Sequence, residues 1–419
     1  MRVMVMIVMV GCGSSDATAP DATTLDTSPP DAPMELPCTP THGDVIVDGP
    51  TAQASVITVL VHDSAGTVLS RSEPLGSDAT VTVDVPSCGM VTIVDHNPVD
   101  RDMLLTWVGV QPGDHLTDVR RRLALVPYSI EFTVGTVAGA TQYIHSVACA
   151  GSSSLATSTA GGLHTEVLQC PATAATVSIL ATAKTAAGAT FARALAVPLS
   201  QTGTTTVDLG AYQSPTQSLV ASVQNAAGFD RARLVLFQGV TPRLFLDSVE
   251  TTGSTGMLGL PAIGNLGGDG SMQLEVSGTD KFLRLAKVAT PIPLTFTVDA
   301  LVDLLPTLDV SLVSNPTRPT LTWTGARPFI ADFATVGLSL AGAPNGGLHF
   351  WTVVAPPHPG SIQLPEVPAD LLPTGGISSI SLSVDERAEV STYDVARNAL
   401  RELITQPSTN DARSTTARP

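Results

Sequence analysis

Ser379-Ile-Ser-Leu-Ser-Val384 alternates polar and apolar residues at every step, and Val81-Thr-Val-Asp-Val85 and Val91-Thr-Ile-Val94 repeat the pattern elsewhere. A period of two puts successive side chains on opposite faces of an extended strand. Each run is bounded by Gly, Pro, Asp or Ser, the punctuation expected of half-buried antiparallel strands. The surrounding composition agrees. Only 14% of the 419 residues are charged, against about 25% in an ordinary soluble protein. Ala, Val, Thr, Ser, Gly and Pro dominate; Val and Thr favour strands, while Gly and Pro end them. An all-β chain of many short strands is predicted. Its length exceeds one ordinary core, so roughly three or four domains are expected.

Internal repetition sets the expected size of those domains. Ser129–Gly139 (SIEFTVGTVAG) matches Ser218–Gly228 (SLVASVQNAAG), and Phe191, Arg193 and Val197 match Phe282, Arg284 and Val288. Thr206-Val207-Asp208 matches Thr297-Val298-Asp299 in the same way. Residues 126–213 and 214–308 are therefore read as two copies of one unit. Residues 38–125 carry a fainter copy, with Ser64-Ala-Gly66 in place of Val137-Ala-Gly139. Residues 309–405 form a fourth and most divergent unit. About 90 residues holding about seven strands resembles an immunoglobulin-like sandwich. The fourth unit, opening on Arg318-Pro-Thr-Leu-Thr-Trp-Thr324, resembles a fibronectin type III domain, which implies Trp323 as a buried tryptophan of its second strand. A β-propeller would need a shorter period, and an outer-membrane barrel would need aromatic girdles that a 4% aromatic content cannot supply.

Tyr393–Ile404 departs from the strand pattern. Ala396, Ala399, Leu400, Leu403 and Ile404 would share one face of a short C-terminal helix, though a final strand fits nearly as well. Residues 406–419 are polar and are expected to be a disordered tail.

At the other end, Met1–Val10 places one Arg before eight apolar residues, followed by Gly11 and Cys12. Eight helical residues span about 12 Å, far short of a bilayer core, so the segment reads as a signal peptide (1–11). Met9-Val-Gly-Cys12 resembles the lipobox of bacterial lipoproteins, with Met where the family usually has Leu. The resemblance implies cleavage between Gly11 and Cys12, lipidation of Cys12, and attachment to a membrane through it. Gly13 in place of Asp favours the outer membrane. Residues 13–37 carry no basic residue and bear Asp at 16, 21, 26 and 31, a composition that cannot offset its ordering entropy. A coil of that length reaches about 25–30 Å, which makes 12–37 an acidic tether.

The formal net charge of −16 opposes binding to phosphate backbones, so no nucleic-acid partner is expected, and Arg120-Arg121-Arg122 reads as a solvated connection. Beyond Cys12, four cysteines remain: Cys38, Cys88, Cys149 and Cys170. In an exported protein an even number reads as disulfides. Of three connectivities, Cys38–Cys88 and Cys149–Cys170 keep each bridge within one unit, with buried free thiols as the alternative.

No GxSxG, HExxH, Walker or strand-linked GxGxxG motif occurs, and no cofactor is expected. His62-Asp63, Asp95-His96 and Asp114-His115 are adjacent pairs whose members point to opposite faces of a strand, so they read as surface or loop histidines. Asp95, Asp100, Asp102, Asp114 and Asp118 crowd the end of the first unit. Asp95, Asp100 and Asp102 are weak calcium candidates, and a solvated acidic edge is the stronger reading. Asn265–Gly270 reads as a flexible turn. Of Trp107, Trp323 and Trp351, Trp323 is expected in a core and Trp351 is left open. The expected function is a non-enzymatic, membrane-anchored envelope lipoprotein acting as a stalk or adhesion module. The alternatives are binding of a carbohydrate or peptide at loop ends, and an enzyme with an unrecognised site.

Overall fold

The computed structural model describes residues 38, 41–50, 56–76, 79–96, 101–118, 125–149, 152–186, 188–200, 202–214, 217–238, 244–252, 256–262, 270–289, 295–313, 318–343, 348–357, 360–372, 375–400 and 412–418. Gly11, Cys12, the tether, Asp100, Arg120–Arg122 and most of the Asn265–Gly270 turn lie outside them. The protein is nearly all β, and no described helix is long and apolar enough to cross a membrane.

The strands fall into four consecutive groups. The first holds β1 (His42–Asp48), β2 (Val56–His62), β3 (Val68–Arg71), β4 (Thr80–Pro86), β5 (Gly89–His96), β6 (Met103–Val110) and β7 (His115–Thr117). The second holds β8 (Leu125–Val134), β9 (Ala140–Cys149), β10 (Ser152–Ser158), β11 (Gly162–Pro171), β12 (Thr176–Thr185), β13 (Gly188–Pro198) and β14 (Thr204–Val207). The third holds β15 (Gln217–Gln224), β16 (Arg231–Gln238), β17 (Leu244–Thr252), β18 (Gly256–Ala262), β19 (Gly270–Ser277), β20 (Lys281–Ala289) and β21 (Thr295–Asp299). The fourth holds β22 (Leu308–Val313), β23 (Thr320–Gly325), β24 (Phe333–Ala341), β25 (Leu348–Ala355), β26 (Gly360–Gln363), β27 (Ile377–Arg387), α1 (Tyr393–Asn398) and β28 (Ala412–Ala417).

The first three groups share one topology. In each, the first strand lies between the fourth, antiparallel, and the seventh, parallel. The other four strands run in the order third, second, fifth, sixth. This keeps the two-layer architecture of immunoglobulin-like sandwiches while distributing the strands differently from the common ABED/CFG order. The fourth group is arranged otherwise, as β22-β23-β26 facing β28-β27-β24-β25. That is the order of the fibronectin type III sandwich which this segment resembles, with α1 inserted before its last strand. Trp323 lies on the second strand of this group and is buried.

Three of the four-stranded layers fuse edge to edge. β25 pairs in parallel with β6, and β28 pairs with β20 on one side and β27 on the other. The result is a 12-stranded sheet, β17-β16-β19-β20-β28-β27-β24-β25-β6-β5-β2-β3. The fourth group therefore sits between the third and the first, so the order in space is not the order in the chain. Fusion satisfies backbone groups that isolated sandwiches would leave exposed at their edges.

It also explains the burial of β2 and β5. Val59, Val61, Val91 and Ile93 pack inward with Val45, Val47 and Val85 of the opposing layer. On the other face, Leu60, Val94 and Leu104 join Leu321, Trp323, Leu338 and Trp351 of the fourth group. Strands covered on both faces read as continuous apolar runs rather than alternating ones, as Val56-Ile-Thr-Val-Leu-Val61 does. The second sandwich attaches differently. The outer-face residues Ala148, Leu180 and Phe191 share a core with Leu236 and Leu244 of the third group, and Phe245 N donates to Ser146 Oγ at 2.9 Å.

At the C-terminus one expectation holds and one changes. α1 forms where the helical face was read, capped by Thr392, whose hydroxyl accepts from Val395 N. Tyr393, Ala396 and Leu400 are buried in the first sandwich's core; Leu403 and Ile404 lie outside the described residues. The expected disordered tail is corrected at Ala412–Ala417, which is β28 and extends the fourth group past residue 405. Its sequence, ARSTTA, offers small polar side chains and almost no apolar signal. Two backbone ladders hold it, with Thr415 and Ala417 buried between them.

Candidate functional site

The densest polar chemistry among the described residues lies where the first and fourth groups meet. β6 and β25 place Thr106 beside Val353, and one face of the joint carries a line of buried polar groups. His62 Nε2 lies 3.0 Å from Thr92 Oγ1, Thr92 Oγ1 lies 2.8 Å from Thr106 Oγ1, and Trp351 Nε1 donates to Thr106 Oγ1 at 3.0 Å. All four side chains are buried. Desolvation is the main cause that pulls His62 down to about 4, against smaller opposing effects of the Gly66 backbone and the Asp63 carboxylate. His62 is thus a neutral core residue, correcting its reading as a surface histidine. β2 is covered on its outer face by a layer distant in sequence, which adjacency to Asp63 could not show.

α1 closes the other side of the joint. Arg397 is fully buried, and its guanidinium reaches Asp114 Oδ2 from Nε at 2.8 Å and from Nη2 at 2.7 Å. Asp114 also accepts from Asn398 Nδ2 at 2.9 Å and Gln111 N at 2.7 Å, while His115 N donates to Asn398 Oδ1 at 2.8 Å. Tyr393 stacks under Arg397 and its hydroxyl donates toward Val108 O and Val354 O, one carbonyl from each group. Burial pushes the Tyr393 phenol upward.

The described acidic residues at the end of the first unit are therefore not a solvated edge. Asp95, Asp114 and Asp118 are buried. Asp102 holds His96 Nδ1 at 2.7 Å and lies 3.3 Å from His349 Nδ1, and Asp102 N donates to that same nitrogen at 3.0 Å. Among the described residues no group of three or more His, Cys, Asp or Glu is placed to hold a metal ion. Of the weak calcium candidates Asp95, Asp100 and Asp102, Asp100 lies outside the described residues. Asp102 meets the seam of the sheet through His349.

Both preferred cystine pairs are formed, Cys38–Cys88 and Cys149–Cys170, each inside one group. All three tryptophans are buried, so Trp351 belongs to the core and none presents a ring for stacking on sugars. A shallow recess of 330 Å³ over β22 and β23 is lined by Asp309, Ser311, Thr322, Trp323, Thr324 and Gly360. The clasp of Arg397, Asn398 and Asp114 escaped sequence reading. A lone Arg on the apolar face of a helix was the available signal.

Fold and joint together define a class: a multi-sandwich all-β protein whose layers are sealed into a shared sheet. No family model matches the chain, and no curated protein matches it. Among solved structures, similarity is found to Escherichia coli alpha-2-macroglobulin activated by porcine elastase, at 10% identity over 82% of this chain and 41% of that one, with a TM-score of 0.14. The fibronectin FN1–FN3 domains of chicken CNTN1 match at 10% identity over 70% of this chain and 88% of that one, with a TM-score of 0.15. The chain thus spans less than half of the macroglobulin it matches, and the fold assignment rests on its own strand order.

Proposed function

We propose that the protein is a non-enzymatic cell-envelope lipoprotein, anchored in the outer membrane through lipidated Cys12, whose fused sandwiches act as a scaffold or adhesion module for a protein or polysaccharide ligand. The observation that carries the reading is the succession Met9-Val-Gly-Cys12, acidic tether, Cys38. Several acyl chains hold a protein to a bilayer firmly, where one holds it marginally. The tether would deliver the chain to Cys38, which is bonded directly to Cys88 in the turn between β4 and β5. Load from a membrane anchor then enters the first sandwich through a covalent link rather than through β1 alone. Buried polar chains and ion pairs at the joint bind layers together, which serves a scaffold.

The test is fractionation of cells expressing the full chain with and without globomycin, and of Cys12→Ala. Transfer of the protein from the membrane to the soluble fraction in both cases supports the anchor. Unchanged partitioning, or mass spectrometry of an unmodified Cys12 thiol, refutes it.

A further inference from the structure

We propose that His145 and His164 form a binding site for an imidazole-preferring first-row divalent cation, Zn2+ or Cu2+, at the open edge of the second sandwich. β10 ends one layer and β11 ends the other, so the space between them is closed by side chains rather than by a ladder. On β9, His145 shares the inward face with Tyr143, Val147 and Cys149, which belong to the core. On β11, His164 pairs in register with the core residue Phe132 of β8. The two imidazole rings meet with centroids 4.1 Å apart, and Phe132 stacks against His164 at 5.6 Å.

Three observations point to a ligand rather than to packing. The inward positions of the equivalent second strand carry Leu234 and Leu236 in the third sandwich and Val59 and Val61 in the first, all buried. At His145 an imidazole therefore stands where the sister units place aliphatic groups. His145 Nδ1 and His164 Nε2 are buried without a hydrogen-bond partner, an arrangement that protein interiors avoid. His145 is 1% exposed. Finally, the tautomer of His145 is set. Ser158 Oγ donates its only proton to Ala160 O at 2.9 Å, so its oxygen accepts from His145 Nε2–H at 3.1 Å. The lone pair is then on Nδ1, the unpartnered nitrogen. Orientation of a ligating imidazole by a hydrogen bond to its other nitrogen is the usual second layer of a metal site.

Imidazole suits Zn, Cu and Ni, whereas hard cations need oxygen donors. With two protein donors the remaining positions fall to water, so micromolar rather than tighter affinity is expected. His164 is only partly buried. The site is independent of the proposed anchor and joint.

The experiment titrates the purified full chain in detergent with Zn2+ and with Cu2+ by calorimetry, and records the Cu2+ paramagnetic resonance spectrum. One saturable site with coupling to two nitrogens is expected. His145→Leu, which restores the sister-unit chemistry, and His164→Leu should each abolish it, while His42→Gln and His115→Gln at exposed positions should leave it intact. His164→Gln, at the less buried position, covers the case in which a leucine variant misfolds, with circular dichroism and the Cys149–Cys170 bond as folding checks. Absence of saturable binding overturns the proposal, as does binding that survives both core substitutions or is lost in the exposed ones.

Discussion

Replacing Asp114 by alanine strips the clasp between α1 and the first sandwich of its only carboxylate acceptor for Arg397 Nε. In the native protein Asp114 accepts from Gln111 N, Arg397 Nε and Asn398 Nδ2 at 2.7, 2.8 and 2.9 Å. Hydrogen bonds to a charged group contribute about 1.5–3 kcal/mol each, but most of the loss arises because Arg397, fully buried, keeps its charge. Breaking such a buried pair from one side costs about 3–5 kcal/mol. Asp394, 3.0 Å from Nη1, is partly exposed and recovers little of that. A loss near the middle of the range, about 4 kcal/mol, is expected. The fused layers need not unfold in one step, so the assay combines the urea midpoint with hydrogen exchange at β7 and α1, where protection should fall first. A double variant, Asp114→Leu with Arg397→Met, removes both charges and should recover at least half of the loss. A single variant within about 1 kcal/mol of the native protein would refute the reasoning. So would a double variant no better than the single, because the cost would then not come from the stranded charge.

Three further outcomes follow from particular contacts. His62 has a folded-state value of about 4 against 6.5 unfolded, so the unfolded chain takes up its proton first. Its contribution is present above about pH 6.5 and is lost as pH falls toward 4, by about 3 kcal/mol at most; His62→Leu should flatten the urea midpoint between those limits, and an unchanged slope would contradict this. Deleting residues 412–419 should expose the facing edges of β20 and β27 and give concentration-dependent association, with faster amide exchange on both strands. Unaltered exchange there would show that β28 does not hold the seam. Removing Cys38–Cys88 by paired serine substitution should cost about 4 kcal/mol, and removing Cys149–Cys170 about 3 kcal/mol, by loop closure over separations of 50 and 21 residues. A reversed order in denaturation midpoints would count against that account.

The fourth sandwich illustrates what local chemistry can reveal. Alternation in Ser379–Val384, a tryptophan in a Thr-rich strand, and an apolar stripe at Ala396 and Leu400 predict strand, core and helix. Each of these patterns is written within a dozen residues. For the cysteines the sequence left free thiols as the alternative, and the structure forms the two bridges that stay inside single units. His62 and Asp114 were misread because their environments come from distant chain: the buried line from His62 ends on Trp351, which bonds Thr106, 245 residues away, and Asp114 meets Arg397, 283 residues away. The imidazole pair of the second sandwich was missed because 19 residues and two different layers separate His145 from His164.

By itself the sequence determined the strand class and pointed to the repeat and to cystine bridges inside single units, because side-chain periodicity and spacing are local properties of the chain. Only the tertiary structure decided that the fourth sandwich lies between the third and the first. Edge-to-edge pairing of β25 with β6 and of β28 with β20 runs through backbone N–H and C=O groups, which every residue but proline carries alike. A code that is the same at every position leaves no pattern to read, and the choice of partner edge falls to the packing of whole layers.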